Sequence, residues 1–271
     1  MPEKKIPLIE GPIAGLTLSD KGLAVLRHLS AKLSGLDIYV LQSCSKGQSD
    51  VFSFDQVAAV TQKLFTRYRG LIYVMPTGVV VRSIASCVSH KLSDPAIVVT
   101  DVHARWAISL LSGHEGGANR LTEQVSWLLD AEPIITTTSE AARNVIAGIG
   151  CRRGTSADEI ITALGASLTD AGYGFDDVRL IASADIKIDE PGIREAAHCL
   201  QTGLRFISSS AISSSNRDFE TSEFVKSKVN LPAVAEPSAL LAGNRTCLIS
   251  KKKKYKNVTI ALALEHSMWS E

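Results

Sequence analysis

Apolar positions along the chain alternate between helical spacing and short continuous runs. Over 18–33 they recur every three or four residues (Leu23, Leu26, Leu29, Leu33), and Ser19 or Asp20 offers an N-cap, so a helix is expected. A short β-forming run follows at 36–41, and a helix is expected over 57–68, entered through Asp55. GLIYVM (70–75) reads as a buried strand, and Thr77-Gly78 begins a turn into a helix that reaches His90. AIVVTD (96–101) and WAISLL (106–111) read as further strands. A helix over 116–129 carries Leu121, Val125, Leu128 and Leu129 on one face, and a strand at 134–138 closes this half.

The second half repeats the style. Strands are expected at 145–149, 178–182 and 205–208, and helices at 156–168, 191–200 and 218–227. Pro191 falls in a first helical turn, where its missing N–H does no harm. A final strand pair, 247–250 and 258–264, is joined by a lysine-rich turn, and SSSAISSS (208–215) reads as a mobile loop. Near-continuous apolar strands alternating with helices define an α/β class, with largely parallel or mixed sheets flanked by helices. The composition break at 139–144 (SEAARN) separates two α/β domains, 1–140 and 145–271.

The 45% hydrophobic content of the 271 residues is enough for a packed core and excludes a disordered chain. Lys and Arg (29) nearly balance Asp and Glu (28), so no global field draws nucleic acid. The five cysteines, Cys44, Cys87, Cys151, Cys199 and Cys247, form no C-x-x-C pair, which argues against a zinc ribbon or a disulfide framework. No His, Cys and carboxylate spacing suggests a metal site. With neither a signal-peptide pattern nor a membrane-length apolar run, a cytoplasmic protein without membrane partners is expected.

Four segments carry candidate chemistry. LLSGHEGGANR (110–120) joins a strand to a helix. Gly113, Gly116 and Gly117 would let backbone N–H groups approach a ligand at the helix start, beside His114, Glu115 and Asn119. GIGCRRG (148–154) is also expected to lie between strand and helix. Its spacing, G-x-G-x-x-x-G, departs from the dinucleotide fingerprint and weakens a nicotinamide-cofactor reading. Arg152 and Arg153, with Gly154, suit carboxylates or phosphates, and Cys151 reads as a small buried residue. MPTGVVVR (75–82) contributes Thr77, Gly78 and Arg82, and VAEPSALL (234–241) places Glu236 at a helix entry. KKKKYK (251–256) reads as a solvated hairpin, and His28, His90, His198 and His266 as surface or tail residues.

Seven blocks, MPTGVVVR, DPAIVVTD, ISLLSGHEGGAN, IITTTSE, GIGCRRGTS, VAEPSALL and NVTIALA, occur in the order found in the cobalt-precorrin-5A hydrolases, the CbiG proteins of anaerobic cobalamin biosynthesis. The chain resembles that family over roughly 71–264. The resemblance implies opening of a δ-lactone and release of acetaldehyde from a cobalt-bearing, carboxylate-rich tetrapyrrole. It implies no protein-held cofactor, because the cobalt arrives within the substrate. Other enzymes of the cobalamin pathway are the implied partners. Lactone hydrolysis needs activated water and a place for the oxyanion. His114 or Glu115 is expected to activate water, with the Gly116 and Gly117 N–H groups as oxyanion donors. Glu236 stands as a reserve acid/base. Thr77, Gly78, Arg82, Gly113, Asn119, Arg152, Arg153 and Gly154 are the expected substrate-binding residues.

The chain also departs from the family pattern. A middle segment usual between the TTT strand and the GIGCRRG block is absent, since only 139–147 connects them. A shortened hydrolase that kept its binding surface would be a non-catalytic tetrapyrrole carrier, and this is the competing reading.

Overall fold

The computed structural model describes residues 11–45, 49–220, 231 and 233–267. The chain divides into two compact units, Met1–Thr137 and Thr138–Glu271. The first is built on seven strands: β1 (Ile13–Thr17), β2 (Leu36–Leu41), β3 (Phe52–Phe54), β4 (Gly70–Val74), β5 (Ala96–Thr100), β6 (Trp106–Leu111) and β7 (Glu132–Ile134). They lie in the order β3-β2-β1-β4-β5-β6-β7. Every neighbouring pair is parallel except β5 and β6, which pair antiparallel, Ile97 facing Leu111 and Thr100 facing Ala107.

Helices cover both faces of this sheet, which is why its central strands are apolar without a break. On one face α1 (Asp20–Lys32) and α4 (Ala118–Leu129) bury Leu23, Leu26, Leu121 and Val125 against Ile72, Val74 and Val98. On the other, α2 (Val57–Phe65) and α3 (Thr77–Ile84) bury Leu64, Phe65, Val80 and Ile84 against Leu71, Tyr73, Ile97 and Val99. Alternate residues of β4 and β5 therefore serve opposite layers. Helix α1 is capped by Ser19, whose hydroxyl accepts the Gly22 N–H.

Helix α3 ends at Ile84, short of the expected His90. The chain turns there because the buried Asp94 carboxylate accepts the N–H groups of Ser89 (2.9 Å) and His90 (3.2 Å). The expected strand at 134–138 is displaced to β7, and Thr138 opens a one-turn helix, α5 (Thr138–Ala141).

The second unit holds β8 (Val145–Cys151), β9 (Val178–Ala184), β10 (Gly203–Ile207), β11 (Thr246–Tyr255) and β12 (Val258–Glu265), in the order β10-β9-β8-β12-β11. Strands β8, β9 and β10 are parallel, while β12 runs antiparallel to both β8 and β11. Helices α6 (Ala157–Ala171) and α7 (Pro191–Cys199) close one core with Ile160, Leu164, Ile193 and Ala196. Short helices α8 (Ser209–Ser214) and α9 (Ala235–Leu241) cover buried residues outside that core.

Two expectations fail here for physical reasons. Residues 209–214 form α8 and not a loop. The Ser208 hydroxyl caps it at the Ala211 N–H (3.2 Å), Asp185 accepts the Ser209 N–H (2.9 Å), and Ile212 is buried beneath it. Lys251, Lys252, Lys253 and Lys254 lie within β11 and not in a turn; the turn is Lys256-Asn257, with Lys256 in the left-handed region at φ 46°. Lys251 and Lys252 share an ion pair with Glu220 and Lys253 pairs with Asp170, which offsets part of the charge that the strand carries side by side. The helix expected over 218–227 lies outside the described residues from 221 onward. No helix among the described residues is long and apolar enough to cross a membrane.

Candidate active site

Strand direction decides where the glycine-rich loop sits. Because β6 runs against β5, the chain leaves β6 at the edge of the sheet where β5 begins. The loop 112–117 therefore lies beside the 89–94 turn. Lys91 Nζ stands 2.7 Å from Glu115 Oε1, and a Cβ on Gly116 would lie 3.3 Å from the Asp94 carbonyl oxygen. The loop is closed by its own backbone: the Ser112 carbonyl accepts the Ala118 N–H (3.1 Å) and the Gly113 carbonyl accepts the Asn119 N–H (2.9 Å). Gly117 enters α4 in the left-handed conformation, φ 86°, which a side chain would strain. Ser112 holds a left-handed φ of 59° despite its Cβ, and its buried hydroxyl has no hydrogen-bond partner among the described residues.

His114 and Glu115 are exposed at the loop tip. The hydrogen bond from Lys91 holds the Glu115 carboxyl below the usual carboxylate range. Asn119 does not point to solvent. It is buried; its Oδ1 accepts the Ser109 hydroxyl (2.8 Å), and its Nδ2 donates to Thr137 Oγ1 (2.8 Å). It thereby ties α4 to β6 and to the segment after β7. Gly113 is required beneath it, because a Cβ there would lie 2.9 Å from Asn119 Oδ1.

Thr77, Gly78 and Arg82 are not brought to this loop. They sit where β4 ends, and β4 and β6 run in opposite directions, so the two groups occupy opposite edges of the sheet. The Arg82 side chain folds back over the start of α3, 3.6 Å from where a Gly78 Cβ would stand.

In the second unit, Gly148 and Gly150 lie inside β8, so GIGCRRG is largely strand and not a turn between strand and helix. Only Gly154 has a turn conformation, φ 76°. Arg152, Arg153 and Gly154 are exposed, and the turn hangs on Glu190. That buried carboxylate accepts the Gly154 N–H (3.0 Å) and lies 3.6 Å from Arg153 Nε and 3.8 Å from Lys187 Nζ. Cys151 is half-buried, and burial pushes its thiol up. Glu236 is 1% exposed. Its carboxylate accepts the backbone N–H groups of Glu220 (2.7 Å) and Lys252 (2.9 Å), joining α9 to β11 and to the segment before 221.

A glutamine at 236 keeps the size but can accept at only one terminus. E236Q is expected to lower unfolding stability by about 1–3 kcal/mol, read by urea denaturation. Lost turnover with unchanged stability would instead make Glu236 an acid/base.

Sequence reading did not find Lys91, Asp94 or Glu190. Their partners are distant in sequence or are backbone groups, and no motif marks them. Among the described residues, no group of three or more His, Cys, Asp or Glu is placed to hold a metal ion.

The family model for the cobalamin synthesis G N-terminal domain matches residues 59–140, and that for the cobalamin synthesis G C-terminus matches 145–263. The chain belongs to the cobalamin synthesis G (CbiG) family. A cobalt-precorrin-5A hydrolase of Priestia megaterium is 26% identical over 364 aligned positions, covering 96% of this chain and 97% of the relative. One from Salmonella typhimurium (strain LT2) is 26% identical over 347, covering 94% and 98%. Protein CobE of Sinorhizobium sp is 34% identical over 128, covering 46% of this chain and 83% of CobE. The Priestia alignment exceeds the 271 residues of this chain by 93 positions, so that relative carries at least 93 residues without a counterpart here. The shortened form expected from the sequence agrees with this difference.

Proposed function

We propose that this chain is a cobalt-precorrin-5A hydrolase, a hydrolase acting on a carbon–carbon bond, which opens the δ-lactone and releases acetaldehyde to give cobalt-precorrin-5B. The observation that carries the reading is the alignment of nearly the whole chain with nearly the whole of two hydrolases, and not with one domain of them. In the reaction, water adds to the lactone carbonyl and the acyl–oxygen bond breaks. The freed alcohol then loses its proton as the carbon–carbon bond to the macrocycle breaks; the bonding pair stays with the conjugated macrocycle, and acetaldehyde departs. The cobalt belongs to the substrate.

Of the two candidate bases, His114 is the better. Glu115 is held as an anion by Lys91, and a carboxylate stabilised in that form is a weaker proton acceptor. The Gly116 and Gly117 N–H groups, at the start of α4, are the proposed oxyanion donors. Arg152 and Arg153, exposed at the end of β8, are the proposed grips for peripheral carboxylates. Arg82 lies at the opposite edge of the first sheet from His114 and is left out of this site.

The 93 or more residues of the Priestia relative that have no counterpart here favour a second reading, a non-catalytic tetrapyrrole carrier. An anaerobic incubation with cobalt-precorrin-5A separates the two. Trapped acetaldehyde, equal in amount to the two-carbon loss from the macrocycle by mass, is the expected result. Tight binding without acetaldehyde would overturn the hydrolase in favour of the carrier.

A further inference from the structure

A thiol and an imidazole meet outside the proposed active site. Cys247 lies on β11, the edge strand of the five-stranded sheet, and its side chain is exposed. His266 follows directly after β12. In the β11–β12 register Cys247 faces Leu264, so His266 is two residues beyond the facing position, a diagonal neighbour on the same face. The geometry realises that placement: Cys247 Sγ stands 3.0 Å from His266 Nε2. The His266 backbone is itself held, its N–H donating to the Arg245 carbonyl oxygen at 3.3 Å.

The other cysteines lack this arrangement. Cys44, Cys87 and Cys151 are only partly exposed, and Cys44 donates to the Leu18 carbonyl. Cys199 is exposed like Cys247 but has no hydrogen-bond partner among the described residues. The chain therefore carries an internal control, two exposed thiols of which one has a base within reach.

We propose that Cys247 is a modification site, a reactive thiol that forms mixed disulfides with small disulfides, with His266 as its base. With the ring proton on Nδ1, Nε2 accepts the Sγ proton as sulfur attacks one sulfur of the small disulfide. A new S–S bond forms to Cys247 and the original S–S bond breaks. The Cys247 sulfur is oxidised; the departing half is reduced and leaves as a thiol, taking the proton back from the imidazole. The chemistry requires an exposed nucleophile and an adjacent proton acceptor, and the strand register supplies both. The proposal stands apart from the hydrolase reading, and no step of that reaction uses these two residues.

The test incubates the full chain with oxidised glutathione and follows each cysteine by peptide mass spectrometry over time. Cys247 is expected to acquire glutathione roughly 10-fold or more faster than Cys199. H266Q, which keeps a polar side chain but cannot take the proton, is expected to bring Cys247 down to the Cys199 rate while leaving Cys199 unchanged. Equal rates at the two thiols in the unaltered chain would overturn the proposal without any variant. So would a Cys247 rate that H266Q leaves intact.

Discussion

Replacing His114 by alanine is expected to slow acetaldehyde release from cobalt-precorrin-5A by roughly 10²–10⁴-fold, the usual contribution of a positioned general base. Binding of the macrocycle should change little, because the side chain is exposed at the tip of a loop whose backbone closes on itself at Ser112–Ala118 and Gly113–Asn119. The companion variant E115Q should cost much less. Its carboxylate already spends an oxygen on Lys91, and the glutamine oxygen can accept the same hydrogen bond. Single-turnover rates and substrate affinity, measured separately, distinguish the two variants. A slow E115Q beside a fast H114A would transfer the base to Glu115. Full activity in the double variant would remove both residues from the chemistry and leave the oxyanion donors of the loop without a base. Neither substitution should unfold the protein, since neither side chain contributes to a core.

The contrast between what the sequence shows and what it hides follows from packing. Strands β4 and β5 are legible as unbroken apolar runs, because helices cover both of their faces. Strand β1 is equally buried but escapes notice, because Gly15 sits in its middle. That glycine makes room for Leu26 of α1, a reason invisible until the helix is laid on the sheet. The direction of β6 is also invisible in its composition. An apolar strand reads alike in either sense, so a parallel reading puts Thr77, Arg82 and His114 at one edge, whereas the antiparallel pairing sends His114 to the other. The serine-rich stretch misleads for a different reason: its composition suggests a loop, but one buried Ile212 and one capping hydroxyl suffice for a short helix. The Cys247–His266 pair could not be read from spacing at all, since nineteen residues and a strand register separate its members.

The largest expected effect on stability falls on a glycine that, in sequence, looks like part of a phosphate loop. G148A should lower the stability of the second unit by about 3 kcal/mol or more, at the upper end of what overpacking costs. A Cβ at 148 would run into the Ala235 carbonyl oxygen and stand 2.7 Å from the Ala239 backbone nitrogen. Both obstacles are backbone atoms of α9, so no rotamer change relieves them. The helix must lift from β8, and lifting it disturbs the hydrogen bonds that Glu236 makes to Glu220 and Lys252. G154A supplies the comparison. Gly154 has a left-handed φ of 76° but open space around it, so the added methyl costs only backbone strain, about 1–2 kcal/mol. Urea denaturation of the two variants separates a packing glycine from a turn glycine. If G148A proved no less stable than G154A, α9 would not lie on β8 as described. With G148A the more costly, Gly148 is the glycine of that segment that serves close approach of helix to strand, and Gly154 the one that serves the turn.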